Sequence, residues 1–286
     1  MPLPAPQPQD RRAIRAGLLL LVALATQLIC SWYGWSPMSP IAMAQSSEAI
    51  GVAAREKDQR DCDAGRATAC YILGIDASQG IGGAKDMALA RAAFSRAYDG
   101  HDAEACFNFS VYAATGQGGP RDRKGAQTAF MASCNGGIAK ACFNAGLLLA
   151  EGDAVVQARQ AYDAACKLRD ARGCTNLGVM LNEGAGGAID HSGARKQFSN
   201  GCDLDDMNLC RNLGVMLKNG EGGGKDVGAA TKLFIRACDA GLAEGCLNLG
   251  ILFGNGEAVA KDAARAKAYL DRACQLGNNE LCPSRH

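Results

Sequence analysis

The stretch Ala237–Gly250, ACDAGLAEGCLNLG, holds two cysteines eight positions apart, Cys238 and Cys246. The interval recurs at Cys62/Cys70, Cys134/Cys142, Cys166/Cys174, Cys202/Cys210 and Cys274/Cys282. Residues eight apart in one straight helix lie about 12 Å apart along its axis. A disulfide needs Cα atoms within about 7 Å. No helix therefore runs through a bonded pair. The chain must reverse between the two sulfurs, and the DAG, NGG and QLG triplets in the gap supply the turn. Each pair is expected to tie the end of one helix to the start of the next. Zinc fits the cysteines less well, because zinc sites use closer pairs in tetrahedral sets, so no metal is expected.

The interval is one column of a longer period. Cut every 36 residues from Ala67, with one unit four residues short, the chain gives units 67–102, 103–138, 139–170, 171–206, 207–242 and 243–278. Cys70, Cys106, Cys142, Cys174, Cys210 and Cys246 fill one column, and Gly80, Gly116, Gly152, Gly184, Gly220 and Gly256 another. Asp86, Asp122, Asp190, Asp226 and Asp262 form a third, which the short unit lacks. CTNLGVML and CRNLGVML carry apolar residues with the period of an amphipathic helix. Gly178, Gly214 and Gly250 on that face let another helix come close. The invariant glycine six residues on suits a left-handed helix end, and the aspartate after it suits the N-cap of a second helix. That second helix presents an alanine column and, four residues later, Phe94, Phe130, Tyr162, Phe198, Phe234 and Leu270 on one face. The expected fold is all-α, an αα-hairpin repeat solenoid stapled by disulfides.

One pair is broken, since Tyr98 stands where Cys106 expects a partner. Cys106 is read as a buried free thiol, with an intermolecular bond or a reactive thiol as the alternative.

The ends are of other kinds. Arg11, Arg12 and Arg15 precede the apolar run Ala16–Cys30, and Ala42-Met43-Ala44 offers a small-residue cleavage site. Residues 1–44 are read as a signal peptide. An uncleaved anchor, about 20 residues from Ala16 to Trp35, is the alternative, and a membrane partner is expected only then. Residues 45–66 are expected as an N-terminal capping helix and 279–286 as a C-terminal cap and tail. Export, to the periplasm or beyond the cell, would place the cysteines where disulfides persist. A net charge of +1 gives no nucleic-acid footprint.

Units such as AEGCLNLGILFGNGEAVAKDAARAKAYLDRACQLG resemble the Sel-one-like repeat (SLR), a relative of the tetratricopeptide repeat, and the added cysteine pairs are similar to those of Hcp-type cysteine-rich secreted proteins. The resemblance covers residues 50–282 and implies a right-handed superhelix that binds peptides or proteins along a concave groove. For some bacterial members it implies penicillin binding with slow β-lactam hydrolysis, so a cell-wall-related compound is a second expected ligand class.

The residues themselves offer little chemistry. No serine has a lysine three residues on, as a serine β-lactamase would show. His101, His191 and His286 are isolated. GEGGGKD and GAGGAID read as loops before an aspartate N-cap and not as phosphate cradles, so no cofactor is expected. A repeated stripe is more promising. Asn108, Asn144, Asn176, Asn212 and Asn248 share a column two past the cysteine, and Tyr112, Leu148, Met180, Met216 and Leu252 follow four residues on. Stacked repeats would turn them into a ladder of amides over an apolar floor, suited to an extended peptide. The alternative is that each asparagine bonds within the scaffold.

Overall fold

The computed structural model describes residues 40–99, 102–257 and 261–278, with side chains from residue 48 onward. Residues 1–39, which carry most of the expected export segment, lie outside them, as do His101, Cys282 and His286. The described residues form thirteen α-helices and no strand. They are α1 (Pro40–Asp63), α2 (Ala67–Gln79), α3 (Met87–Asp99), α4 (Ala103–Thr115), α5 (Arg123–Asn135), α6 (Ala139–Glu151), α7 (Val155–Lys167), α8 (Ala171–Glu183), α9 (His191–Cys202), α10 (Met207–Asn219), α11 (Val227–Asp239), α12 (Ala243–Asn255) and α13 (Ala263–Gln275). Helices α2, α4, α6, α8, α10 and α12 are the first, A-type, members of hairpins, and α3 to α13 in odd steps are their B-type partners. Each helix packs chiefly against its neighbours in sequence, as in a solenoid.

The hairpins close because a ring sits on a glycine. A Cβ built on Gly74, Gly146, Gly178 or Gly214 would lie 2.6, 2.5, 2.3 or 2.6 Å from the ring of Phe94, Tyr162, Phe198 or Phe234. Removing the side chain from the A-type helix makes room for the aromatic of the B-type helix, and both surfaces leave water. The rings are buried, Phe234 fully. In the second repeat Ser110 replaces the glycine; it is buried and bonds back to the Phe107 carbonyl at 2.7 Å.

Helix ends follow the columns with one exception. Gly80, Gly116, Gly184, Gly220 and Gly256 adopt φ between 74° and 80°, the left-handed cap the sequence expects. Gly152, in the shortened repeat, has φ −98°, and Asp153 takes the positive value of 60° instead. With four loop residues gone, the reversal moves one position along. Asp86, Asp122, Asp190, Asp226 and Asp262 each accept a backbone N–H three residues on, at 2.8–2.9 Å. The Gly-rich loops thus lead into an aspartate-capped helix.

Five disulfides occur among the described residues: Cys62–Cys70, Cys134–Cys142, Cys166–Cys174, Cys202–Cys210 and Cys238–Cys246, with Cα separations of 4.5–4.6 Å. Each joins the end of a B-type helix to the next A-type helix. The expected Cys274/Cys282 pair ends on a residue outside the described set.

A second set of inter-repeat ties was not legible in the sequence. Arg55, Arg91 and Arg195 each donate to a carbonyl in the loop of the following hairpin, on Ala84, Pro120 and Gly224, at 2.9, 2.7 and 3.0 Å. At the shortened loop that column holds Gln127 and not an arginine. Arg123, one helical turn earlier, takes over and reaches the Leu148 carbonyl at 2.7 Å and Glu151 at 3.0 Å.

Helix α1 is a B-type helix without an A-type partner among the described helices. Asp58 occupies the column that holds Phe94 and Phe130 in later repeats. A charge replaces the ring where no glycine face waits to receive it.

Candidate functional site

The A-type helices carry a core stripe and an open stripe. On α8 the core stripe is Gly173, Cys174, Leu177, Gly178 and Leu181, all buried. Asn176 lies off that stripe and is half-buried, as are Asn108, Asn144, Asn212 and Asn248. The five expected amides therefore share one partly open face.

Their bonding differs. Asn176 bonds the hydroxyl of Tyr162, whose pKa burial pushes up. Asn212 accepts from Arg211 at 2.6 Å. Among the described residues Asn108, Asn144 and Asn248 make no side-chain hydrogen bond, and no buried side-chain polar atom goes without a partner. Their amides face water. The column thus divides, with two rungs engaged inside the scaffold and three open.

The expected apolar floor lies elsewhere. Tyr112, Met180, Met216 and Leu252 are 8, 9, 3 and 2 % exposed and belong to the core, and Leu148 is half-buried against it. The reason is angular. Met180 is three residues after Leu177 and seven after Gly173, so it sits at the edge of the core stripe. The residue before it is turned about 100° away. That column is aliphatic in every repeat: Ile75, Val111, Leu147, Val179, Val215 and Ile251. Leu147, Val179 and Ile251 are 39, 37 and 38 % exposed, and the other three are half-buried. Each follows its asparagine by three residues where there is one, on the same helix face. The signal was present in the sequence as doublets such as VM, LL and IL, which hold one apolar residue more than the core stripe uses.

Aromatic residues extend this face in the first three repeats, at Tyr71, Phe107 and Phe143. The Lys140 ammonium lies 4.2 Å from the Phe107 ring centroid, and the Arg172 guanidinium 4.3 Å from that of Phe143. Both cations are also paired, Lys140 with Glu104 at 3.4 Å and Arg172 with Asp170 at 2.6 Å. The face is consequently apolar and amide-rich, with its charges locally matched.

Other candidates resolve simply. Cys106 is a free cysteine and buried, with its thiol pushed up by burial first and by Asp102 second. Tyr98 does not fill a partner's role; its ring stacks on Phe109 at 5.7 Å. His191 is exposed in the first turn of α9, with Nδ1 2.7 Å from the Asn182 carbonyl oxygen. No group of three or more candidate metal ligands occurs among the described residues. No described helix is long and apolar enough to cross a membrane.

Comparison with known proteins bears on the fold. The Sel1 repeat family matches residues 67–102, 171–204, 209–242 and 243–278. No curated protein matches the chain in sequence. A protective antigen of uropathogenic Escherichia coli strains, displaying an SLR fold, superposes with TM-score 0.67 at 22% identity, over 78% of this chain and 49% of that one. The chain thus spans about half the length of that antigen. A Sel1 repeat protein from Oxalobacter formigenes superposes with TM-score 0.55 at 19% identity, over 80% of this chain and 99% of that one. Helicobacter pylori cysteine rich protein B is 27% identical over 44% of this chain and 93% of its own, with TM-score 0.36. The four matched segments are in register with the hairpins α2–α3, α8–α9, α10–α11 and α12–α13, and these hairpins are Sel1 repeats.

Proposed function

We propose that the protein is an exported scaffold, periplasmic or secreted, that binds an extended peptide or a segment of a partner protein along the open face of its A-type helices. The observation that carries this reading is the aligned row on those helices: one solvent-facing aliphatic residue per repeat, with an amide three residues before it in five of six. Asn108, Asn144 and Asn248 supply free donors and acceptors for a peptide backbone. Val111, Leu147, Val179 and Ile251 supply the apolar contact. Disulfides at the hairpin junctions hold the rungs in register, so little ordering is required on binding. The disulfides also support an oxidising compartment. The β-lactam reading rests on resemblance alone, and nothing in the geometry favours it.

The test is to select peptides from a displayed random library on the folded, oxidised protein, then measure their affinity by calorimetry. An Asn144→Ala/Asn248→Ala variant removes two backbone bonds of about 0.5–1.5 kcal/mol each. It should weaken binding about tenfold. Val179→Asp should do the same or more. Ile235→Asp, on the B-type face, should leave affinity unchanged. Selected peptides that ignore both A-face changes would refute the assignment.

A further inference from the structure

The opposite, B-type, face opens between the third and fourth hairpins. A cavity of about 400 Å³ opens between α7 and α9, floored by Leu177 and Leu181 of α8. Two features of the sequence accompany it. Helix α9 presents Gly193 and Gln197 where α11 has Ala229 and Leu233. The ion pairs Arg96–Asp63, Arg236–Asp205 and Arg272–Asp239, which join successive B-type repeats toward the two ends, have no counterpart here, where Asn200 stands in the arginine column, nor in the two repeats before it, where Ala132 and Ala164 stand.

The mouth has an unusual composition. Val156, which lines the cavity, is 54 % exposed, and Ile189, beside the lining residue Asp190, is 61 % exposed. Arg159 on the wall makes the weakest of the loop ties, 3.4 Å to the Ala188 carbonyl, and has no ion-pair partner among the described residues. Asp163 lies one turn further along the same wall, bonded only to the exposed Lys167. One surface therefore holds a hollow, an apolar knob, an unpaired cation and a carboxylate. Knob and hollow, and cation and carboxylate, are the opposites that a two-fold interface brings together.

We propose that this cleft is a self-association surface and that its occupant is a second copy of the chain. Ile189 of each copy enters the hollow of the other, above Leu177 and Leu181, and Arg159 of each faces Asp163 of the other. The contact is small, so the dimer is weak and concentration-dependent. It lies on the face away from the asparagine rungs and leaves them open in both copies.

Sedimentation velocity on the full, oxidised chain over a range of concentrations tests this. The wild type should pass from monomer to dimer. Arg159→Glu and Asp163→Arg should each shift the transition at least about tenfold to higher concentration. Their equimolar mixture should restore it, because both contacts between unlike copies then join opposite charges again. Ile189→Lys, at an exposed position with little bearing on folding, should abolish it. Matching far-UV spectra and melting temperatures would show that the variants fold. A wild type that stays monomeric overturns the proposal. So does a dimer indifferent to all three substitutions, or charge variants that fail to rescue one another.

Discussion

Beneath most rings of the B-type helices lies a backbone without a side chain, and this contact sets the tolerance of single residues. Alanine at Gly214 would place its Cβ 2.6 Å from the buried Phe234 ring. Gly214→Ala should cost about 1–3 kcal/mol and lower the melting temperature by about 2–4 °C per kcal/mol. Gly224 lies in a loop with no atom near enough to meet an added Cβ. Gly224→Ala should change stability by less than about 0.5 kcal/mol. Equal effects in thermal melts would contradict the ring-on-glycine account. At Cys106 burial and Asp102 both disfavour the thiolate, so the reactive form is scarce near neutral pH. Labelling by a thiol reagent should be slow in the native protein and rise sharply on unfolding. Fast stoichiometric labelling of folded protein would restore the reactive reading of that cysteine.

Helices are joined by three devices, and they differ in how openly the sequence declares them. The disulfides and aspartate caps are spelled by single residue types at fixed intervals. A ring of this size stabilises by about 2.5 kcal/mol through loop-closure entropy. Cys166→Ala/Cys174→Ala should cost about that much, less whatever order the helical turn already imposes, in denaturant unfolding under oxidising conditions. No measurable loss would mean the turn is fixed without its bond. Asp226 accepts the Ala229 N–H at 2.8 Å. Asp226→Ala should therefore cost about 1 kcal/mol, while Asp226→Asn should cost much less. The arginine ties were hidden because the acceptor is a backbone carbonyl, which any residue supplies. No residue column marks Ala84, Pro120 or Gly224 as partners of Arg55, Arg91 and Arg195. The switch to Arg123 at the short loop depends on where that loop falls in space. The left-handed cap at Asp153 was obscured likewise, because the glycine column continued through Gly152 although the deletion had moved the reversal.

For the whole molecule, the period alone announced a stack of hairpins, and the structure shows one. The open face was half legible. The asparagine column is conspicuous because amides are rare on core stripes, and the five residues do share a face. Its exposed apolar companion lies one residue before the column Tyr112, Leu148, Met180, Met216 and Leu252 that the sequence suggests. A spacing of three and a spacing of four both fit a helix face. Only the position of Leu177 and its equivalents decides which column turns inward. Reduction offers a check on the assembly. With the junctions unstapled, the melt should move to lower temperature and broaden as neighbouring repeats uncouple; an unchanged sharp transition would show that packing and the arginine ties suffice. The most direct test of the binding face is hydrogen exchange, followed by mass spectrometry, with and without a library-selected peptide. Slowed exchange in α6, α8, α10 and α12, the A-type helices that carry Leu147, Val179, Val215 and Ile251, is the predicted result. Protection confined to α7, α9 and α11 would place the ligand on the opposite face and contradict the account.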